Sequence, residues 1–358
     1  MGERRVRHLP HPHERVGRAW QHEAASVVSR GTREPKLQVA VAGPILQIVA
    51  SCTERKRLPI PDELRLGTLR ESHRVDLFAH WWRTLKQHTS PTRAARELYG
   101  GDHWTVVCDL PRVASARGFD PRLWVASAGY GLVPEEAQLH AYAATFTSGH
   151  ADSVTELGYE DPAGAAQRWW SRLTREAGPQ ASAPRSIKAL VRSDPAAKVL
   201  VVASPRYIGA MEDDLVQAAL ALKDPEDLLL VSGEPGPSHP SLRRHWIPSV
   251  ASLQPAVGGA RTSLHARLAR RIVEESGERR FVASELRKRF IELAQAAPPP
   301  QRYDRTPAND DEVRQFVVKE LRANPKATHT RLLRQFRSSG RACEQSRFKL
   351  LFQQVKEF

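Results

Sequence analysis

The stretch Ile45-Leu46-Gln47-Ile48-Val49-Ala50-Ser51-Cys52-Thr53-Glu54-Arg55-Lys56 decides how this chain is read. Its first half is a short, nearly continuous apolar run, and such a run bounded by small polar residues predicts a strand buried on both faces. Three further runs repeat the pattern: Leu123-Trp124-Val125-Ala126, Val199-Leu200-Val201-Val202-Ala203 and Leu228-Leu229-Leu230-Val231. The first three close with Val-Ala-Ser, at Ser51, Ser127 and Ser204, and the fourth closes with Val231-Ser232-Gly233. Helical patterns separate the runs. The predicted fold is therefore α/β, a three-layer domain over residues 37–296 built on a largely parallel sheet. Ligands of such sheets bind outside the carboxyl ends of the strands. The small polar endings either line one crevice that a flat ligand enters or simply let the chain turn.

Working outward, Val75, Phe78, Trp82 and Leu85 share one face of a predicted helix over 71–88, a core stripe. Trp169 and Trp170 mark a helix over 161–176, and the acidic start Glu212-Asp213-Asp214 suits a helix from Met211 to Leu222. Gly258-Gly259-Ala260-Arg261-Thr262-Ser263 leads into a helix with Leu264, Leu268, Ile272 and Val273. Glycines and hydroxyls there either hold a phosphate or make an ordinary cap. Residues 297–308, with Pro298-Pro299-Pro300, read as a linker because successive prolines favour extended backbone. Residues 309–358 carry three apolar helical patterns, around Val317, Leu333 and Leu351, with Gly340 between the last two. They predict a small all-α helix-turn-helix-like module.

The 358 residues are 41% hydrophobic and 26% charged, which excludes wholesale disorder. Lys and Arg outnumber Asp and Glu by 54 to 40, a net charge of +14 that favours a nucleic-acid partner, DNA first, over a membrane surface. Residues 1–36 hold eight Lys/Arg and four His and read as a flexible basic arm. His8, His11, His13 and His22 have no paired acid or cysteine at ligand spacing, so a solvated tail is expected there and no metal site. From Arg322 to Lys356 there are nine Lys/Arg and one acid, Glu344. Arg331, Arg334, Arg337, Arg341, Arg347 and Lys349 are candidates to follow phosphates, and Gln345 and Arg347 sit where a recognition helix meets base edges. A solvated basic face is the competing view. Three scattered cysteines, at 52, 108 and 343, argue against a disulfide framework or a zinc site. No apolar run approaches the roughly 20 residues of a membrane span, and the N-terminus lacks an apolar leader core. A cytoplasmic protein without metal or cofactor is expected.

Three local signals carry chemistry. Cys52, beside Arg55 and Lys56 at a strand end, is placed as a nucleophile favoured by positive charge, or else as a small packing residue. The turn Ser127-Ala128-Gly129-Tyr130-Gly131 with downstream His140 and Tyr142 suits a pocket wall on which a base stacks, or a tight turn with a structural tyrosine. Ser204-Pro205-Arg206-Tyr207, followed by Asp213 and Asp214, offers a carboxylate to orient water, or a helix cap.

The Ser51 to Lys56 string, the Ala126 to Val133 turn, Tyr142 and the Gly258-Gly259 to Arg267 helix start resemble a bacterial domain family of uncharacterised function. That family carries a Cys-Ser/Thr-x-x-Lys loop and a Ser-Ala-x-Tyr-Gly-Leu turn. It is distantly similar to the core domain of archaeosine synthase and, through it, to the uracil-DNA-glycosylase-like fold. The resemblance covers roughly residues 45 to 275. It implies a three-layer domain with a base pocket at the strand ends, a place in DNA-modification or phage-defence systems, and functional weight on Cys52, Lys56, Tyr130, Gly131 and Tyr142. It also implies, for Cys52, a role like that of enzymes adding a group to a deazaguanine nitrile, although the long tRNA-binding apparatus of those enzymes is missing. The leading expectation is a glycosylase-like enzyme that excises a modified base. Ser51, Ser127, Tyr130, Gly131, His140, Tyr142, Ser204 and Tyr207 would form its base pocket, and Cys52, Lys56, Asp213 and Asp214 its catalytic set. Group transfer onto a base through Cys52 and non-catalytic sensing of modified nucleic acid are the alternatives.

Overall fold

The structure, a computed structural model, describes residues 43–72, 76–156, 161–277, 280–299 and 304–356. The basic arm with its four histidines lies outside the described residues, as does Val75.

All four apolar runs are strands of one sheet. Its members are β1 (Ile45–Ser51), β2 (Asp120–Ser127), β3 (Gly131–Pro134), β4 (Lys198–Val202), β5 (Leu228–Ser232) and β6 (Trp246–Pro248). The order is β3-β2-β1-β4-β5-β6, and every neighbouring pair is parallel except the β2–β3 hairpin. Leu46 to Ser51 and Leu228 to Ser232 are buried without interruption, so both faces of the sheet are covered. Gln47, the one polar residue within the first run, is satisfied across the sheet by the Trp124 indole, which donates to its Oε1 at 2.7 Å. From β1 the chain winds outward through β2 to β3 on one side and then crosses to β4 on the other, so the strand order reverses between β1 and β4. A crevice opens at the carboxyl ends where strand order reverses in this way.

The stripe expected as one helix over 71–88 is two helices, Leu66–Ser72 and α1 (Leu77–Gln87). Asp76 sits between them in the left-handed region (φ 43°), and its carboxylate caps α1 by accepting from the Ala79 N–H at 3.2 Å. The other described helices of six residues or more in the domain are α2 (Asp102–Ser115), α3 (Pro162–Leu173), α4 (Ile187–Ser193), α5 (Pro205–Ala210), α6 (Glu212–Ala221), α7 (Leu264–Glu275) and α8 (Ala283–Ala296). α2 and α7 pack on each other and on the sheet, α2 over β1 and β2, α7 over β4 and β5. The Gly258-Gly259 motif explains how α7 is seated. Arg267 pairs with Asp102 at the start of α2 at 2.7 Å, and a Cβ on Gly259 would lie 2.1 Å from the Arg267 Nε. The motif is a packing device that leaves room for this arginine, and no phosphate is needed to account for it.

Residues 304–356 form three helices, α9 (Asp310–Ala323), α10 (His329–Ser338) and α11 (Gln345–Lys356), around their own core of Val313, Val317, Leu333, Phe336, Phe348 and Phe352. α9 opens with a capping box: the Asn309 side chain accepts from the Glu312 N–H and the Glu312 carboxylate from the Asn309 N–H, both at 2.9 Å. Thr306-Pro307, within the stretch read as a linker, pairs with Arg341-Ala342. Among the described residues no helix is long and apolar enough to cross a membrane.

Candidate functional site

Cys52 leaves β1 with its N–H still bonded to the Ala126 carbonyl at 2.9 Å. The loop that follows is laced to residues 98–100. Thr53 Oγ1 donates to the Gly100 carbonyl at 2.9 Å, Gly100 N–H to Arg55 O at 2.9 Å, and Arg57 N–H to Leu98 O at 2.8 Å. Lys56 bridges Tyr99 in this short antiparallel pairing. Its side chain lies over aromatic rings, with Nζ 4.4 Å from the Tyr142 centroid and 5.6 Å from that of Tyr99.

A chain of hydroxyls converges on the Cys52 sulfur. The Tyr142 hydroxyl donates to Sγ at 3.4 Å, and the Tyr207 hydroxyl lies 3.1 Å from it. Tyr142 Oη is 2.6 Å from Ser127 Oγ and 3.0 Å from Tyr99 Oη. Ser127 Oγ already accepts the N–H groups of Gly129 (3.2 Å) and Tyr130 (2.9 Å), so its own proton goes to Tyr142. A phenol has one proton and two lone pairs, and with its proton on the sulfur Tyr142 takes in those of Ser127 and Tyr99. The network thus has a direction and ends at Cys52. Burial first, and then the neighbouring Cys52, holds the phenols of Tyr99, Tyr142 and Tyr207 well above the usual range, so all three remain proton donors at neutral pH. Burial also lowers the pKa of Lys56, against the opposing pull of Cys52, Glu54 and Asp152.

The turn after β2 is fitted to this cluster. A Cβ on Gly129 would lie 2.5 Å from the Tyr142 ring, so only glycine lets the loop pass. The carbonyls of Ala128 and Gly129 accept the Trp169 indole N–H (2.8 Å) and the Trp81 indole N–H (3.0 Å). Gly131 has φ +78°, and its turn is held by Arg185, which donates to the carbonyls of Tyr130 and Leu132. Burial lowers the Arg185 pKa to about 10.

Two clefts open beside the cluster. One, of about 670 Å³, is lined by Glu54, Arg55, Lys56, Arg65, His150 and Asp152 among others, and so mixes cations with carboxylates. His150 Nε2 lies 2.8 Å from the Glu54 carboxylate, and Asp152 Oδ1 accepts the Gly67 N–H at 2.9 Å. The other, of about 710 Å³, lies against Phe146, Ser204 and α5.

Of the residues singled out in the sequence, Cys52, Lys56, Ser127, Tyr142 and Tyr207 are brought together, with Ser51 buried at the strand end below them. Other expectations are corrected. Tyr142 is 0% and Tyr130 5% exposed, so neither offers an open face on which a base stacks. The Tyr130 hydroxyl accepts the His140 N–H at 3.0 Å, and the His140 ring turns away to Ser90 Oγ at 3.1 Å. Gly131 is a turn residue, and Ser204 lines the second cleft. Asp214 does not orient water. Its carboxylate caps the neighbouring α4, accepting the Ile187 and Lys188 N–H groups at 2.8 and 2.9 Å and the Trp170 indole at 3.0 Å. Asp213 is exposed on the first turn of α6.

In the C-terminal module three of the expected phosphate contacts are engaged inside the fold. Arg347 pairs with Asp310 and donates to the Ala308 carbonyl (3.0 Å), Arg341 pairs with Glu312, and Arg337 donates to the Cys343 carbonyl (2.9 Å). Arg347 at the start of α11 is thus a staple to α9 and is not free to read bases. Arg331, Arg334 and Lys349 are exposed, and among the described residues no acidic side chain pairs with them. Arg334, Arg337 and Gln345 line one groove of about 750 Å³.

No family model matches the chain, and no curated protein matches it.

Proposed function

We propose that the protein is an enzyme acting on a nucleic-acid base by group transfer through Cys52. The observation that carries this reading is the directed hydroxyl network ending on the Cys52 sulfur at the reversal point of the sheet, with Lys56 beside it. Donors aimed at one atom favour negative charge there, which is what a nucleophilic sulfur develops. With a nitrile-bearing base of the deazaguanine type, the sulfur adds to the nitrile carbon. The Lys56 amine takes the thiol proton as the carbon–sulfur bond forms and one π bond of the C≡N group breaks, and the resulting ammonium returns that proton to the nitrogen, giving a thioimidate. An amine co-substrate then adds to the same carbon, the carbon–sulfur bond breaks, and the proton lost by the amine goes through Lys56 to the departing Cys52 sulfur, leaving an amidine. Hydrolytic excision instead asks for a carboxylate that activates water or steadies charge on the sugar; Asp214 is engaged at the α4 N-terminus, and in the charged cleft Glu54 is bonded to His150 and Asp152 to the Gly67 N–H. The +14 charge and the exposed Arg331, Arg334 and Lys349 support a polyanionic substrate.

The test is incubation of the full chain with normal and phage-modified DNA, followed by mass spectrometry of nucleosides and released bases. An altered nucleoside that disappears with Cys52→Ala supports group transfer. A free base whose release survives Cys52→Ala establishes excision instead, and tight binding without either product leaves a sensor.

A further inference from the structure

Residues 55–57 and 98–100 pair as a short antiparallel ladder, in which successive side chains point to opposite faces. Lys56 takes the inner face, over the rings of Tyr99 and Tyr142. Arg55 and Arg57 take the outer face, and both are exposed. A Cβ built on Gly100 would lie 3.7 Å from the Arg55 Cγ and 3.6 Å from the Arg57 Cγ, so the two stems stand side by side at this one residue. Among the described residues neither guanidinium has a hydrogen-bond or ion-pair partner. The carboxylates beside these segments in the chain are already held, Glu54 by His150 at 2.8 Å and Asp102 by Arg267 at 2.7 Å. Past Gly100 the surface is open, since a Cβ on Gly101 would meet no heavy atom within 4 Å. Two uncompensated like charges held next to each other repel, and a bound anion relieves that repulsion. The planar fork of a guanidinium fits phosphate oxygens in pairs. Arg55 also lines the charged cleft that Lys56 enters, so this cationic face adjoins the reactive one.

We infer that Arg55 and Arg57 clamp backbone phosphates of the nucleic-acid substrate at the nucleotide whose base reaches Lys56 and Cys52. The inference rests on the nucleic-acid reading above and adds to it a contact on the α/β domain, separate from the arginines of the C-terminal module. The occupant follows from charge: the chain carries +14, and two neighbouring, unpaired guanidinium groups on an open surface match the repeating phosphates of a polyanion. The contact positions the strand and carries no sequence information, as phosphate contacts do. One alternation of the backbone thus sets the face that holds the strand back to back with the face that meets the reacting group.

The experiment measures binding of the full-length protein to fluorescein-labelled duplex DNA, and to RNA of the same sequence, by fluorescence anisotropy over a range of salt. Arg55→Gln combined with Arg57→Gln keeps most of each stem beside Gly100 and removes both charges. It should weaken binding at least about tenfold near about 0.1 M salt and reduce the slope of log affinity against log salt by about 2. Arg55→Lys combined with Arg57→Lys keeps both charges and should hold the parental slope to within about 0.5. A glutamine variant that binds within about threefold of the parent at the parental slope overturns the clamp and leaves the nucleic-acid reading standing. A lysine variant that loses as much slope as the glutamine one also overturns it, because charge is then not what binds. No salt-dependent binding of either nucleic acid by the unaltered protein overturns the nucleic-acid reading and the clamp with it. The expected loss of slope without any Cys52-dependent change in the nucleic acid keeps the clamp and removes group transfer.

Discussion

Replacing Tyr142 with phenylalanine removes one oxygen and leaves the ring contacts with Gly129 and Lys56 in place. That oxygen has three partners, the Cys52 sulfur and the hydroxyls of Ser127 and Tyr99, and both hydroxyls belong to residues that are 0% exposed. Water cannot replace the lost acceptor, so two buried donors are left orphaned. At roughly 1 kcal/mol or more per orphaned donor, and a smaller loss for the weaker contact to sulfur, Tyr142→Phe should lower the unfolding free energy by about 3 kcal/mol. The assay is urea-induced unfolding followed by fluorescence. Ser127→Ala combined with Tyr142→Phe removes a donor together with its acceptor. The double variant should therefore be more stable than the sum of the single losses by about 1 kcal/mol. In parallel, the rate of Cys52 alkylation by iodoacetamide should fall in Tyr142→Phe, because a donor to the sulfur is gone. A Tyr142→Phe protein within about 0.5 kcal/mol of the parent, alkylated at the parental rate, refutes the directed network.

Three further outcomes follow from the same geometry. His103 and His265 face each other with centroids 4.6 Å apart, and burial first of all lowers their pKa values to about 4 and about 3. Unfolded histidine takes up its proton near pH 6.5, so their contribution is fully present above that pH and is lost as pH falls toward 4. The loss is at most about 2.7 kcal/mol per pH unit while both lag; urea unfolding from pH 7 to 4 should show that slope, flattened in His103→Phe with His265→Phe. Asp214→Ala should cost about 2–3 kcal/mol, through two α4 amides and the Trp170 indole left without an acceptor, and should leave Cys52 alkylation unchanged; slowed alkylation would return Asp214 to the reactive site. In the C-terminal module, Arg334→Ala should reduce the slope of log affinity for DNA against log salt by about 1, as one phosphate contact is worth. Arg347→Ala should instead destabilise the module, since it loses its links to Asp310 and Ala308; an unchanged salt slope in Arg334→Ala, read by fluorescence anisotropy, removes that groove from the interface.

The four apolar runs were legible as parallel strands because burial on both faces leaves a continuous hydrophobic string. β3 and β6 were not, being four and three residues long with prolines at their ends. Much of the candidate site was also legible: Cys52, Ser127 and Tyr207 lie at or just past the ends of β1, β2 and β4, where a parallel sheet gathers its chemistry, whereas Tyr142 follows the short strand Gln138–His140 of a separate antiparallel pair. What spacing could not reveal is long-range partnership. Tyr99 joins the site only because residues 98–100 pair with the Cys52 loop, and Arg185 supports the Gly131 turn from a segment more than 50 residues away. The Tyr-Gly-Gly string at 99–101 before a helix was the available signal for the first. Asp214 was misread because an acidic helix start looks the same whether its carboxylate meets water or, as here, the amides of another helix. The arginines near the C-terminus show the same limit: charge clustering is visible in sequence, but the acids that neutralise Arg341 and Arg347 come from the start of α9.

The central claim is that Cys52 is the reacting atom, and covalent capture tests it most directly. The full chain is incubated with 7-cyano-7-deazaguanine and its intact mass is measured, with peptide mapping to locate any adduct. A gain of one nitrile base on the peptide containing Cys52, absent in Cys52→Ala and slower in Tyr207→Phe, is the expected result. No adduct on the unaltered protein, or one that persists in Cys52→Ala, contradicts it.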